Sequence, residues 1–146
     1  MIKIIAVGKI KDKELTSLIQ FYKKQIKQLE IIEIPDGKTE VDMVKEGEKI
    51  LSLLYETDHV IAMAINGEAY DSVSFAHRLD KIRTYQSGNI IFIIGGSYGL
   101  SKEVYQRANE KISFSKLTFP HQLMRLFLVE QIFRAEMILK NHPYHK

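Results

Sequence analysis

Short apolar segments that alternate with amphipathic ones constrain this fold more than any other feature of the sequence. Four segments have the pattern of buried strands, at Ile2–Val7, Glu30–Ile34, Val60–Ile65 and Asn89–Ile94. They recur at about the length of one strand–helix–strand unit, which favours a parallel sheet. The unbroken apolar run IIFII favours burial on both faces. We therefore predict one α/β domain over residues 1–146, in which helices cover both faces of a parallel sheet.

The amphipathic segments predict three helices between these strands. The first follows Asp12 as its N-cap and carries apolar residues at helical spacing from Leu15 to Leu29. The second is predicted from about Thr39 to Tyr55, and the third ends before Gly88. The sequence contains no linker, so no domain boundary is expected.

The C-terminal part combines a short helix, an alternating segment and a long apolar helix. Ser101 caps the short helix, and apolar and small polar residues alternate over Ile112–Thr118. Pro120 suits the first turn of the last helix. In Leu123–Leu139, 12 of the 17 residues are apolar, which is more than one buried stripe requires. A second subunit is the natural cover, so we predict a homodimer.

Composition excludes several classes of protein and site. The absence of cysteine excludes disulfides, thiolate nucleophiles and Cys-ligated zinc, and His142 and His145 alone are too few ligands for a metal. No apolar run approaches the roughly 18 residues of a membrane span, and no secretory signal is recognisable. We expect a cytoplasmic protein with no membrane partner. The net charge of +3 favours an anionic partner such as nucleic acid, but only slightly.

The loop Ile94–Leu100, with the sequence IGGSYGL, lies between a predicted strand and a capped helix. Its glycines would let a ligand approach the backbone, or would simply form a tight turn. The spacing matches neither the dinucleotide fingerprint nor the phosphate-binding P-loop. It also matches G-x-S-x-G, which leaves a serine hydrolase with Ser97 as nucleophile as an alternative. The acids and histidines that follow it are Glu103, Glu110, Glu130, His121, His142 and His145.

Two further segments contain groups suited to binding. Ser113–Gln122 combines hydroxyls with two phenylalanines, which could hold a heterocycle or could form an edge strand that leads into the last helix. The tail His142–Lys146 could stack on a base and neutralise a phosphate, although chain termini are often frayed. His59 and His77 are expected to be structural.

Together, the segments IGGSYGL, SFSKLTFPHQLMR, LVEQIFRA and the closing PYHK resemble the RlmH family of SPOUT-class methyltransferases over essentially the whole chain. The TFPHQ segment and the YHK ending are the most specific matches. The resemblance implies a homodimer with a C-terminal trefoil knot and S-adenosylmethionine as cofactor. It also implies methylation of N3 of pseudouridine 1915 in the helix 69 loop of 23S rRNA, on the ribosome.

The same resemblance implies roles for individual residues. The C-terminal pair Tyr144 and His145 is expected to be catalytic, and Arg125, Arg134 and Lys146 are expected to face RNA. The expected cofactor-binding residues are Met63, Gly95, Phe114, Ser115, Lys116, Leu117, Thr118 and Phe119.

Three positions depart from the family pattern. Phe133 occupies the place of a tyrosine and Met63 that of a leucine, while the connection Pro35–Glu40 is shorter than usual. The methionine keeps the shape and apolarity of the leucine, whereas a hydroxyl role at position 133 is lost.

The expected chemistry assigns the tail two tasks. Because the N3 proton must leave, we expect His145 to orient or deprotonate the base while Tyr144 holds it. A tail that reaches across a dimer interface would build the site from two subunits. Besides the serine hydrolase, a non-catalytic ribosome-binding factor remains an alternative.

Overall fold

The computed structural model describes residues 1–146 and contains a five-stranded sheet. The strands lie in the order β2-β1-β4-β3-β5, and every neighbouring pair is parallel. The predicted parallel sheet is therefore confirmed. The strands are β1 (Ile2–Val7), β2 (Leu29–Ile34), β3 (His59–Ala69), β4 (Ile90–Ile94) and β5 (Glu110–Ser113).

Four helices connect the strands, a fifth follows β5, and together they cover both faces of the sheet, as predicted. Helices α1, α3 and α5 share one hydrophobic core with the sheet, and α2 and α4 share the other. All of them are too short or too polar to cross a bilayer. The helices are α1 (Lys13–Lys23), α2 (Glu40–Ser52), α3 (Ser72–Tyr85), α4 (Lys102–Arg107) and α5 (His121–Leu139).

Successive residues of β4 contribute to opposite cores. Ile90, Phe92 and Ile94 belong to the core beneath α1, α3 and α5, whereas Ile91 and Ile93 belong to the other. Because neighbouring side chains of a strand point to opposite faces, a strand covered on both sides must be apolar at every position. This explains the unbroken run IIFII.

Side-chain caps begin the helices where the sequence predicts them. Asp12 accepts a hydrogen bond from the Leu15 amide at 2.9 Å, and Ser101 accepts one from the Val104 amide at 3.3 Å. Before α2, Thr39 and Asp42 form a reciprocal capping box.

The first helix ends earlier than predicted. It stops at Lys23 instead of continuing to Leu29, because the chain turns through Gln28, at a φ of 60°, to begin β2. Ile26 is buried inside this turn. Ile26 and Leu29 therefore continue the apolar pattern of α1 beyond its end, although they are buried from a turn and a strand and not from a helix.

The alternating segment Ile112–Thr118 is also not a strand over its length. β5 ends at Ser113, and residues 114–120 form a loop that leads from this edge strand to α5. Pro120 stands at the N-cap position, just before the first helical residue His121. The loop passes the carboxyl ends of the strands. The contacts of His121 and Arg125, in the first turns of α5, with Gly8 at the end of β1 show this path.

An ion cluster fastens the edge strand β5 at its amino end. Glu110 accepts hydrogen bonds from Arg78 Nη2 at 2.5 Å and from His59 Nε2 at 2.6 Å, which joins β5 to α3 and β3. Burial alone would raise the pKa of the Glu110 carboxyl, but the bonds from Arg78 and His59 outweigh it and lower that pKa. His59 has the structural role that the sequence predicts.

We expect Glu110→Gln to lower the free energy of unfolding at pH 7 by about 1–3 kcal/mol, because the substitution removes a charge-assisted bond from two donors. The carboxyl pKa is lower in the folded state, so this contribution is present above the ordinary carboxyl range and is lost as the pH falls through the lowered pKa. Urea unfolding near pH 7 and near pH 3 measures it.

The matched control is Glu48→Gln, which changes an exposed glutamate of α2. An equal loss of stability for Glu110→Gln at both pH values would contradict the ionic role of Glu110.

Candidate functional site

The loop after β4 is a tight turn that requires glycine. Gly96 and Gly99 form an antiparallel bridge, and the Gly99 amide donates to the Gly96 carbonyl at 3.0 Å. Gly99 has a φ of +80°, in the left-handed region. A Cβ atom at Gly95 would lie 2.8 Å from the Gly99 carbonyl carbon. The predicted tight turn is therefore present, and it brings bare backbone to the edge of a cavity.

The strand beside it, β3, contains a bulge that the sequence analysis did not find. The register of β3 against β5 shifts between Met63 and Glu68, and Gly67 lies within the shift. A Cβ atom at Gly67 would lie 2.7 Å from backbone atoms of Ile112, so the two strands approach too closely for a side chain. The bulge turns Ala64, Ile65 and Asn66 toward the cavity. The dipeptide Asn66–Gly67 was the signal that could have indicated it.

The loop 114–120 is held by its own hydroxyls and by two aromatic contacts. Ser113 Oγ donates to the Ser115 carbonyl at 2.9 Å, and Ser115 Oγ accepts from the Leu117 amide at 3.0 Å. The Phe114 ring lies edge-on to Phe75 of α3, with centroids 5.7 Å apart. Phe119 makes the same contact with Phe127 of α5, at 5.4 Å. The loop is thus fixed against both helices.

These three segments enclose a cavity of about 410 Å³, here called the glycine-loop cavity. It lies at the carboxyl ends of β3 and β4, where open parallel sheets bind their ligands. Lys116 is exposed and does not line it. The predicted binding residues that do line it are Met63, Gly95, Phe114, Ser115, Leu117, Thr118 and Phe119. Its other residues include Asn66, Leu100, Tyr105, His121 and Met124, which the sequence analysis did not assign to binding.

A second cavity of about 850 Å³ adjoins the first and is here called the tail cavity. Phe114, Ser115 and Phe119 line both cavities and form a wall that the two cavities share. The tail cavity is bordered by several aromatic rings and by charged groups of α5. Its other lining residues include Tyr22, Tyr70, Phe127, Glu130, Gln131, Arg134 and Tyr144.

Glu130 and Arg134 hold the chain's C-terminal tail against α5. Glu130 Oε1 accepts from the Tyr144 hydroxyl at 2.9 Å and from Arg134 Nη2 at 2.7 Å. The Arg134 guanidinium lies 4.8 Å from the centre of the Tyr144 ring, and Arg134 Nη1 lies 3.1 Å from His145 Nδ1. The contacts of Arg134 thus bring Tyr144 and His145 together. Tyr144 lines the tail cavity, whereas His145 lines neither cavity. The sequence analysis named Glu130 only as an acid of the serine-hydrolase alternative and did not pair it with the tail.

Phe133 supports Tyr144 in the absence of the hydroxyl expected at this position. The two rings meet edge-to-face with centroids 4.8 Å apart. Burial raises the pKa of the Tyr144 hydroxyl, and hydrogen bonds with Tyr22 and Glu130 raise it further. The Tyr144 hydroxyl is accordingly a hydrogen-bond donor, to Glu130 Oε1.

Arg125 corrects one interpretation of the sequence. Its side chain is 3% exposed, and its guanidinium donates to Glu33 Oε2 at 2.6 Å and to the Gly8 carbonyl at 2.9 Å. A surface contact with RNA requires an exposed cation, whereas Arg125 ties the start of α5 to the ends of β1 and β2. Lys146 is exposed, and Arg134 is partly so, with 26% of its side chain accessible.

The structure does not assemble the triad of a serine hydrolase. Ser97 is exposed and does not line the glycine-loop cavity. Glu110 is bound to His59 and Arg78 at the amino end of β5, and Glu130 is bound to Tyr144. A triad needs the acid, the histidine and the serine in one hydrogen-bonded row, and these residues form none.

Comparison with known proteins assigns the whole chain to one group. Residues 1–145 match the family described as "Predicted SPOUT methyltransferase". The chain is similar to ribosomal RNA large subunit methyltransferase H of Acholeplasma laidlawii, at 57% identity over 145 residues and 99% of each chain. It is also similar to the protein of that name from Bacillus pumilus, at 50% identity over 157 aligned residues and 99% of each chain.

Two solved structures share the fold at 15% sequence identity. A probable methylase family protein from Haemophilus influenzae superposes with a TM-score of 0.59, over 99% of this chain and 70% of that one. A ribosomal RNA small subunit methyltransferase E from Neisseria gonorrhoeae, bound to S-adenosyl methionine, superposes with a TM-score of 0.53. That match covers 94% of this chain and 65% of the other.

We expect Arg125→Met to lower the free energy of unfolding of the RNA-free protein by about 1–3 kcal/mol, because the Gly8 carbonyl and Glu33 lose a charged donor. Denaturant unfolding measures this loss. The control Lys9→Met removes an exposed cation near the same loop and should leave stability unchanged within about 0.5 kcal/mol. Equal stability of the Arg125 variant and the wild type would contradict a structural role.

Proposed function

This chain belongs to the SPOUT methyltransferase family as an S-adenosylmethionine-dependent rRNA methyltransferase, and we propose that its target is N3 of pseudouridine 1915 in the helix 69 loop of 23S rRNA. One observation carries the proposed binding mode. Met63, Gly95 and five of the six residues from Phe114 to Phe119 are far apart in the sequence, yet they line the same cavity.

The glycine-loop cavity suits S-adenosylmethionine in size and chemistry. Its volume of about 410 Å³ lies within the usual range of small-molecule sites. Met63, Leu100 and Ile112 offer apolar contacts for a purine ring, while the glycine backbone and the loop 114–120 offer amides and carbonyls for its polar edge. When bound, S-adenosylmethionine supplies a methyl group on a positively charged sulfur, which is electrophilic without further activation.

The tail cavity is the proposed place of the target base. Aromatic side chains such as Tyr22, Tyr70 and Phe127 line it, and single-stranded RNA bases are commonly held by stacking on such rings. The shared wall of Phe114, Ser115 and Phe119 sets the two ligands side by side. The main contribution of this chain is then to align donor and acceptor for a direct transfer.

A second copy of this chain is the proposed cover of the exposed apolar surface around this cavity. Leu123 and Phe127 of α5 and Leu18 of α1 are all more than one third exposed, although each belongs to a helix that packs on the core. Isolated exposed apolar residues need no explanation, but Leu18 and Phe127 both border the tail cavity. A homodimer would exclude water there, and the tail of one subunit could serve the cavity of the other.

The assembled ribosome is the proposed substrate. The elements of residues 1–146 all pack on one sheet, and none of them forms a separate RNA-binding unit. With a net charge of only +3, phosphate contacts alone give limited affinity for a free stem-loop. Recognition would therefore depend on the shape of the ribosomal surface. Since the proposed substrate is the ribosome, the proposed location is the cytoplasm.

Calorimetry with S-adenosylmethionine tests the cofactor site. We expect Gly95→Val to weaken binding by at least about tenfold, since any Cβ at Gly95 meets the Gly99 backbone and displaces the loop. The matched control is Ser97→Val, which makes the same side chain at an exposed neighbour outside the cavity. Thermal unfolding of both variants separates local from global damage.

Equal loss in both variants would contradict the proposed place of the cofactor. Failure of the wild-type chain to bind S-adenosylmethionine, with or without ribosomes, would instead favour the non-catalytic ribosome-binding factor.

A methylation assay on two RNA substrates tests the proposed target. We expect the chain to methylate ribosomes that lack the modification and to leave a naked helix 69 oligonucleotide almost unmodified, because the latter offers no assembled surface. Mass spectrometry of 23S rRNA fragments locates the added methyl group. Equal methylation of both substrates would contradict recognition of the ribosome, and methylation elsewhere would contradict the proposed nucleotide.

A further inference from the structure

We propose that Arg134 fixes His145 as the neutral tautomer protonated at Nε2, so that His145 serves the reaction as a hydrogen-bond donor and not as the general base. The role toward substrate rests on the proposed function, in which the acceptor is the N3 imide of a pyrimidine base. The tautomer itself follows from contacts within this chain.

The contact between Arg134 and His145 has only one possible polarity. Arg134 Nη1 lies 3.1 Å from His145 Nδ1, and a guanidinium can donate hydrogen bonds but cannot accept them. Nδ1 must therefore be the acceptor, which excludes both the imidazolium and the tautomer protonated at Nδ1. A neutral imidazole that accepts at Nδ1 carries its proton on Nε2. Neither nitrogen then has a free lone pair to receive the proton of a substrate.

Glu130 keeps Arg134 in the orientation that this contact requires. Its Oε1 atom accepts from Arg134 Nε at 3.0 Å and from Nη2 at 2.7 Å, one helical turn away on α5. The Tyr144 ring covers the guanidinium, with its centre 4.8 Å away. Hydrogen bonding to Glu130 raises the pKa of the Arg134 guanidinium, so it stays charged. Nη1 is left to face His145.

The ionisable groups around His145 come from α5, from the N-cap of α3 and from the tail. Arg134 and Glu130 belong to α5, and Tyr144 in the tail is a phenol. Asp71, the N-cap of α3, is the acidic group that faces His145 electrostatically, and its Oδ1 is engaged with the Ser74 amide at 2.7 Å. The cation of Arg134 is the group in direct contact with the ring.

A donor at this position assists loss of the N3 proton without taking it. As that proton passes to solvent hydroxide to form water, N3 keeps the electron pair, and its negative charge spreads onto the two flanking carbonyl oxygens. A hydrogen bond from Nε2–H to one of these oxygens stabilises the anion as it forms. His145 ends the step in the protonation state in which it began, so it needs no regeneration.

Two substitutions at one position separate donor from base. The amide nitrogen of His145→Gln can occupy the place of Nε2 and donate, but it has no basic atom at neutral pH, whereas His145→Ala provides neither function. In single-turnover methylation of ribosomes we expect the Gln variant to stay within about tenfold of the wild type and the Ala variant to fall by about 100-fold or more. Equal losses in both variants would overturn the donor role.

Histidine-ring ¹⁵N NMR tests the tautomer independently of activity. We expect His145 of the wild type to be protonated at Nε2 alone near pH 7. A neutral histidine side chain already favours a proton on Nε2, so the expected effect of Arg134→Met is a new fraction of rings with a proton on Nδ1, which the Arg134 contact no longer excludes. The control Arg83→Met breaks the ion pair of Arg83 with Glu136 elsewhere on α5 and should leave the His145 signals unchanged. A proton on Nδ1 in the wild type would overturn the assignment. A wild type that fails to methylate ribosomes would refute the proposed function, while these spectra still decide the role of Arg134.

Discussion

A parallel sheet that is buried on both faces leaves only the ends of its strands accessible to a ligand. In this chain the two helix layers make the faces of β4 apolar at every position, from Ile90 to Ile94. The site must then be built from the segments that leave the carboxyl ends of the strands. The glycine turn after β4, the bulge of β3 and the loop after β5 are those segments, and each shapes the same cavity.

The sequence predicted the features that depend on local chemistry. The strands β1 and β4, the caps Asp12 and Ser101 and the layered arrangement follow from periodicity and capping alone. The bounds that failed depend on contacts distant in sequence. The turn at Gln28 and the early end of β5 at Ser113 are set by where the chain must next pack, which no local pattern encodes. The trefoil knot implied by the family resemblance stays a prediction.

The family motifs name residues that lie close together in the structure, but they do not indicate whether each side chain is buried or exposed. Arg125 and Arg134 stand on the same apolar helix and suggest the same surface role from sequence. Glu33, on the edge strand β2, draws Arg125 inside the fold, whereas Glu130 holds Arg134 at the tail. Neither pairing can be recognised from the sequence, because the fold decides which acid lies beside each arginine. Lys116 is exposed and does not line the glycine-loop cavity, although its neighbours in the sequence do.

The wall that the two cavities share has a thermodynamic consequence. Phe114 leans on Phe75 of α3 and Phe119 on Phe127 of α5, so each ring borders both ligand spaces and one supporting helix. Any ligand that shifts these rings in one cavity changes the free energy of filling the other. By linkage the effect is reciprocal: the factor by which the first ligand alters the affinity of the second equals the factor by which the second alters that of the first. If the two cavities bind the proposed cofactor and base, the two phenylalanines would make these binding events cooperative.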